Sequence, residues 1–367
     1  YVHEPQYIGI VENANYIKQE ICNCIVKINS TGRQKIIVVY IPQRWEAFTS
    51  YNVQGESFDL HDYIKAFCAE KGIMSQLIRE KTIKDQQQSC QINWWLSLSF
   101  YVKSLRTPWI LANTDKNTAF AGLGYSIDSN DNDNGHIVLG CSHIYSSTGE
   151  GLKYKLSKIS NNKIQWRHKK PHLCYDDAYE FGRNILNLFY ESMNELPKRV
   201  VIHKRTFFTE DEKQGILDSL SENGIIESID LIEINFEENI KYTASKIKDN
   251  KPEIDGYSVS RGTCIQLNSK EALLWAHGVI PSVRNPNFNF YPGGRYIPKP
   301  LRVIKHYGNG SLELIANEIL GLTKMNWNSL NMYSQLPATI SSSNDIARIG
   351  KLIDSSANSE YDYRYFI

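Results

Sequence analysis

Four side chains early in the chain have types suited to gripping a charged end group. His61 and Lys65 stand four residues apart, a spacing that puts both on one face near the start of a helix. Gln76 follows, and Lys103 lies on a further helical stretch where Leu98 and Val102 mark the buried side. Two cations, an imidazole and an amide brought together at helix ends suit a terminal phosphate, because they add charge and donors to free backbone N–H groups. Taken alone, a pair such as His61 and Lys65 is usually a solvated helix face. Farther on, Trp166, Arg167, His168, Lys169 and Lys170 set a run of cations beside an aromatic ring, which fits either phosphate tracking or a solvated loop.

The elements that must position these residues alternate between strand and helix, the pattern of an α/β protein. Residues 35–42 (KIIVVYIP) form a β-branched run closed by proline and predict a buried strand. Asp59 predicts a helix cap ahead of Leu60, Ile64, Phe67 and Cys68, and Gly72 predicts that helix's end. A strand over 76–82 and a helix over 92–105 complete a strand–helix–strand–helix unit, half of a doubly wound sheet. Strands over 119–127, 136–145 and 151–159 have short connections, which predict antiparallel neighbours. A long amphipathic helix from Asp176, a strand over 199–203 and a helix opened by the capping box Thr209-x-x-Glu212 come next. Strands over 228–236, 262–267 and 273–277, a Pro/Gly-rich loop over 281–300 and a helix capped by Ser311 follow. Three strands, a helix, a strand and further helices is the order of a ribonuclease H-like domain.

Composition narrows the function classes. With 367 residues, 41% hydrophobic and 22% charged, the chain has the make-up of a globular protein of about two domains. Its 41 Lys and Arg against 40 Asp and Glu exclude binding of nucleic acid by bulk positive charge, so a polyanion has to be met by local patches. The longest apolar run, Trp94 to Val102, holds two serines and falls short of the roughly 18 residues of a membrane span. Seven scattered cysteines without paired zinc spacing predict reduced thiols and a cytoplasmic protein.

The set His61-x-x-x-Lys65, Gln76 and Lys103 resembles the pocket of the Argonaute MID domain, which holds the 5′ phosphate of a guide strand. The likeness continues through WWLSLSFYVKSLRTPW (94–109), AGLGYSID (121–128), HIVLGCSHIYSSTGEGL (136–152), RVVIHKRTFF (199–208), RGTCIQL (261–267), GGRYIPKPL (293–301), EILGLTKMNWN (318–328), LPATISSSNDIARIGKL (336–352) and the ending YDYRYFI. These blocks are similar to short prokaryotic Argonautes, nearest to the group encoded beside a sirtuin-like protein with an APAZ region.

The resemblance implies a Rossmann-like MID domain over 35–115 and a ribonuclease H-like PIWI domain over 116–367, with 1–34 unassigned. It implies His61, Lys65, Gln76 and Lys103 as ligands of the guide 5′ phosphate, with a Mg²⁺ held between that phosphate, Gln76 and the terminal carboxylate of Ile367. Guide-backbone contacts are expected from Arg348 and Lys351, and from Arg167, Lys169 and Lys170. At the positions where active relatives carry catalytic Asp residues this chain has Gly124 and Arg205 or Thr206, beside Lys204, so target cleavage is expected to be absent. The implied partners are a guide RNA, a target single-stranded DNA and an APAZ-containing effector that degrades NAD⁺ in abortive infection. The alternatives are an active guided endonuclease, or the same sensor paired with a TIR or membrane effector.

Overall fold

The computed structural model describes residues 4–30, 36–53, 56–112, 117–127, 136–141, 153–160, 164–167, 170–243, 245–254, 259–280, 297–328, 333–353 and 359–366. The segment that the sequence left unassigned opens as a helix, α1 (Glu4–Asn29). Its Ala14, Ile17, Ile21 and Ile25 recur at helical spacing and are buried. That stripe shares a core with Ile37, Val39 and Ile41 of strand β1 (Ile36–Ile41). A hairpin of β2 (Ser50–Val53) and β3 (Glu56–Asp59) leads into α2 (Leu60–Glu70). Asp59 caps α2 as expected, accepting the Asp62 N–H at 3.1 Å, and Gly72 leaves the helix with φ +63°.

Strand β4 (Met74–Arg79) runs parallel to β1, with Ile36 opposite Met74 and Ile41 opposite Arg79. The expected strand over 76–82 therefore begins and ends earlier, because Glu80 already starts α3 (Glu80–Lys84). Helix α4 (Ser89–Lys103) follows. The parallel strand–helix–strand–helix unit is present as expected, and among the described residues its sheet has two strands.

The rest is organised around one large sheet. Strands β5 (Thr118–Ile127), β6 (His136–Cys141) and β7 (Lys153–Ser160) are consecutive antiparallel neighbours, as their short connections predict. The basic run falls on a small hairpin of β8 (Gln165–Arg167) and β9 (Lys170–His172), where Trp166, Arg167 and Lys170 are exposed. His168 and Lys169 lie outside the described residues, as do the loop 128–135 and most of the loop 281–300. Helix α5 (Tyr175–Met193), strand β10 (Arg199–Lys204), helix α6 (Glu210–Ser221) and strand β11 (Ser228–Phe236) come next. Thr209 and Glu212 form the reciprocal capping box. A hairpin of β12 (Ser245–Lys248) and β13 (Lys251–Ile254) stands apart. Strands β14 (Cys264–Gln266), β15 (Glu271–Leu274) and β16 (Leu301–Tyr307), helices α7 (Leu312–Leu322) and α8 (Ala338–Gly350) and strand β17 (Ser359–Asp362) complete the fold.

The sheet order is β14-β15-β16-β11-β10-β5-β6-β7-β17, with β5, β10 and β11 parallel at its centre. Alternation along these strands sorts two cores. Ala119, Ala121, Leu123, Val200 and Ile202 pack with Phe181, Ile185 and Ile216 of α5 and α6. Phe120, Val201, Ile232 and Ile234 pack with Ile315, Ile319, Ile340 and Ile346 of α7 and α8. Residues Gly124, His203 and Arg205 continue the second register, toward α7 and α8. The chain returns through β17 to a turn at Tyr363–Tyr365, and Tyr363 and Phe366 share that second core with Ala66, Ala69 and Val102 of α2 and α4.

Candidate anion-binding site

Helix α2, strand β4 and helix α4 bring Lys65, Gln76 and Lys103 together, with His61 on the wall of the same cavity. The Lys65 ammonium, 1% exposed, donates to the Ser75 carbonyl at 2.7 Å. Lys103, 2% exposed, donates to Gln76 Oε1 and to Ser99 Oγ at 3.0 Å. Ser99 in turn donates to Gln76 Oε1 at 2.6 Å. Ser99 was not singled out from sequence, although it stands four residues before Lys103 and therefore shares its helix face.

His61, Lys65, Gln76 and Ser99 line one end of a cavity of about 520 Å³, whose other walls include Leu77, Ile92, Trp95 and Leu96. Trp95 donates its indole N–H to the Asn328 carbonyl at 3.2 Å, so a residue just beyond α7 also borders the cavity.

The electrostatics of the cluster are unusual for two lysines. Burial, offset in part by a hydrogen bond with Lys103, lowers Lys65 to about 8. Burial and the charge of Lys65 push Lys103 down to about 5. Near neutral pH burial and mutual repulsion thus hold the contacting pair below its full double charge. Loss of hydration at the pocket wall and then the charge of Lys65 lower the His61 imidazole to about 4, even though 45% of that side chain meets solvent. Such a group gains two positive charges only when an anion supplies compensating negative charge.

Arg348 on α8 reaches this region by an ion pair with Asp62, whose other carboxylate oxygen lies 3.2 Å from His61 Nδ1. Asp62, a common first-turn acid, was not picked out from sequence. Lys351 follows α8 as its C-terminal cap. Ile367 lies outside the described residues, but Tyr363 and Phe366, just before it, are packed against α2 and α4.

Of the two residues expected to hold a Mg²⁺, Ile367 lies outside the described residues, and Gln76 is engaged within the cluster. The expected ligand oxygen, Gln76 Oε1, already accepts from the Ser99 hydroxyl and from Lys103, and a dication there would face Lys65 as well. Among the described residues, Asp59, His61 and Asp62 present ligand atoms within 4.8 Å of one another. Yet Asp59 is spent on the helix cap and Asp62 on Arg348.

The second expected site lies at the C-terminal ends of β5 and β10. The parallel register pairs Leu123 with Lys204, which sets Gly124 beside Arg205. A Cβ on Gly124 would lie 2.7 Å from the carbonyl carbon and Cβ of Ser343, so α8 rests directly on the glycine. The substitution Gly124→Ala is therefore expected to lower stability by about 1–3 kcal/mol through overpacking, readable as a shift of the urea midpoint. His203 is buried and bonded to Thr339 Oγ1 at 2.8 Å, as expected for a core histidine; burial lowers its imidazole to about 3. Lys204 turns to the opposite face and pairs with Glu212.

The fold is similar to that of Clostridium butyricum Argonaute bound to a guide DNA and a 19-mer target DNA, with TM-score 0.66 and 18% identity over 95% of this chain and 42% of that one. A. aeolicus Argonaute gives TM-score 0.59 and 21% identity over 96% of this chain and 43% of that one. The same Argonaute with externally bound siRNA gives TM-score 0.57 and 20% identity over 95% and 44%. The chain thus spans less than half the length of these structures. No curated protein matches it in sequence. Among the described residues no helix is long and apolar enough to cross a membrane. The sequence profile of the Piwi domain matches residues 54–353, and the chain belongs to the Piwi family.

Proposed function

We propose that this protein is the guide-binding, target-sensing subunit of a prokaryotic defence system, with a MID-like lobe over 35–115 and a ribonuclease H-like PIWI lobe over 116–367. The observation that carries this reading is the contact of two buried lysines, Lys65 and Lys103, the first of which lines a cavity large enough for a nucleotide. In the proposed mechanism a guide RNA enters with its 5′ phosphate against Lys65, Gln76, Lys103 and His61. The phosphate dianion returns Lys103 to the ammonium state and satisfies both cations, so a terminal monoester is held while a 5′-hydroxyl end is not. Arg348, Lys351, Arg167, Lys169 and Lys170 are assigned to the backbone, and the guide bases read a single-stranded DNA target by pairing.

Target cleavage has no place in this mechanism. Gly124, Arg205 and Thr206 offer no carboxylate for metal, and the contact of α8 with Gly124 leaves no room to restore one. The output is assigned to a separate APAZ-containing, sirtuin-like effector that degrades NAD⁺ once target is bound.

The test compares fluorescence-labelled guides that differ only in a 5′ phosphate or 5′ hydroxyl. Wild type is expected to prefer the phosphate by roughly a hundredfold or more, the scale of two charge-assisted hydrogen bonds. The preference should persist in EDTA, since both charges come from lysine. Equal affinity for the two guides would overturn the reading.

A further inference from the structure

Arg205 is a stranded cation. Its guanidinium lies 5.2 Å from the centre of the Phe236 ring and, among the described residues, makes no hydrogen bond or ion pair. Burial lowers its pKa from the ordinary arginine value with no carboxylate to oppose the shift. Two neighbours share this condition. Thr206 is 8% exposed with its Oγ1 unbonded, and His203, two residues back on the same face as Arg205, is fully buried with its Nε2 unbonded. Buried polar atoms are nearly always satisfied, so three orphans around one strand end mark a place where a ligand supplies the acceptor or donor.

The location narrows what that ligand is. Arg205 follows the end of β10, between Gly124 on β5 and Phe236 at the end of β11. These are the carboxyl ends of the three central parallel strands, where open α/β sheets bind ligands. A guanidinium held over an aromatic ring with its Nε–H unbonded, followed in the chain by an unbonded hydroxyl, matches the donor needs of a tetrahedral oxyanion.

We propose that Arg205 and Thr206 form a phosphodiester-binding subsite, where the guanidinium grips the backbone of the guide–target duplex without a metal. This rests on the reading of the protein as a guide-binding subunit. A strand end without acidic ligands would thus serve recognition in place of cleavage, one cation neutralising one backbone charge.

The experiment uses the full chain loaded with a 5′-phosphorylated guide RNA, titrated with complementary single-stranded DNA at several salt concentrations. Arg205→Ala is expected to weaken target binding by roughly tenfold or more and to reduce the slope of log affinity against log salt by about one, while guide affinity stays within twofold of wild type. Arg205→Lys should keep the slope and lose part of the affinity, and Thr206→Val should lose several-fold at unchanged slope. Because the guanidinium is unpaired in the free protein, Arg205→Ala should melt at or above the wild-type temperature. Unchanged target affinity and slope in Arg205→Ala would overturn the subsite, as would a lowered melting temperature with guide and target affinity reduced alike. Failure of wild type to bind guide would instead count against the guide-binding reading itself.

Discussion

Replacing both Lys65 and Lys103 by alanine is expected to remove the preference for a 5′-phosphorylated guide, with a loss of roughly two to four orders of magnitude in affinity. Each charge-assisted contact contributes about 1.5–3 kcal/mol, and the two act on one phosphate. Affinity for a 5′-hydroxyl guide should change little. The protonation states add a second signature. In the free protein Lys103 is neutral above about 5 and Lys65 loses its proton above about 8. A bound dianion favours both charged forms and raises both values, so binding near neutral pH takes up a proton. Affinity therefore falls as pH rises above 7, by about tenfold per unit while one proton is taken up and more steeply once both lysines are neutral in the free protein. Calorimetry in buffers of different ionisation enthalpy reads that proton directly, and no uptake by wild type would sink the assignment. In the unfolded chain both lysines titrate near 10.5. The unfolded state thus binds more protons between about 5 and 10.5, and the free protein gains stability with rising pH across that window. Lys103→Met should accordingly stabilise the free protein at pH 6 while weakening the guide complex, a separation that a folding defect cannot produce.

Lys204→Ala is expected to cost about 3–5 kcal/mol of folding stability, more than the overpacking at Gly124. Lys204, Glu212 and His172 have fully buried side chains. Glu212 accepts from Lys204, from the Leu173 N–H at 3.0 Å and from the Thr209 N–H at 2.9 Å, while His172 Nδ1 lies 3.2 Å away. Burial alone would raise the Glu212 carboxyl, but the bonds to His172 and Lys204 hold it down to about 2. Removing the ammonium leaves a buried carboxylate without its counter-charge. Since the folded value is depressed, the stabilisation is present above the ordinary value of 4.5 and is lost as pH falls toward about 2. The gap between wild type and Lys204→Ala should therefore be widest at pH 7 and shrink by pH 3, measured by urea unfolding. Lys204→Met combined with Glu212→Gln should recover much of the loss, because both charges leave together. A gap independent of pH would point to lost packing instead.

Local chemistry made much of this legible from sequence. Asp59, Gly72, Thr209, Glu212 and Ser311 mark helix ends through hydrogen bonds made within a few residues, and each acts where expected. The four pocket residues converge because the helical spacing of His61 and Lys65 fixes one face and the parallel strand places Gln76 across from it. Interactions set by distant parts of the chain were not legible. The pairing of Lys204 with Glu212, and the contact of Gly124 with α8, exist only once residues far apart are packed. Strands β16 and β17 were missed because neither shows an alternation strong enough to stand alone; each is held by its neighbours. The stripe Ala14, Ile17, Ile21 and Ile25 was readable as α1 by its spacing alone.

The return of Tyr363 and Phe366 to α2 and α4 has a consequence for the order of events during synthesis. Ala66 and Val102 wait for partners near the far end of the sequence before their shared core is closed. Contacts of such long separation form late, since loop closure has to precede them. A ribosome-bound chain lacking residues 359–366 would have α2 and α4 without that support, and its pocket would be loose. Closure of the pocket is thereby expected to follow synthesis of residues 359–366.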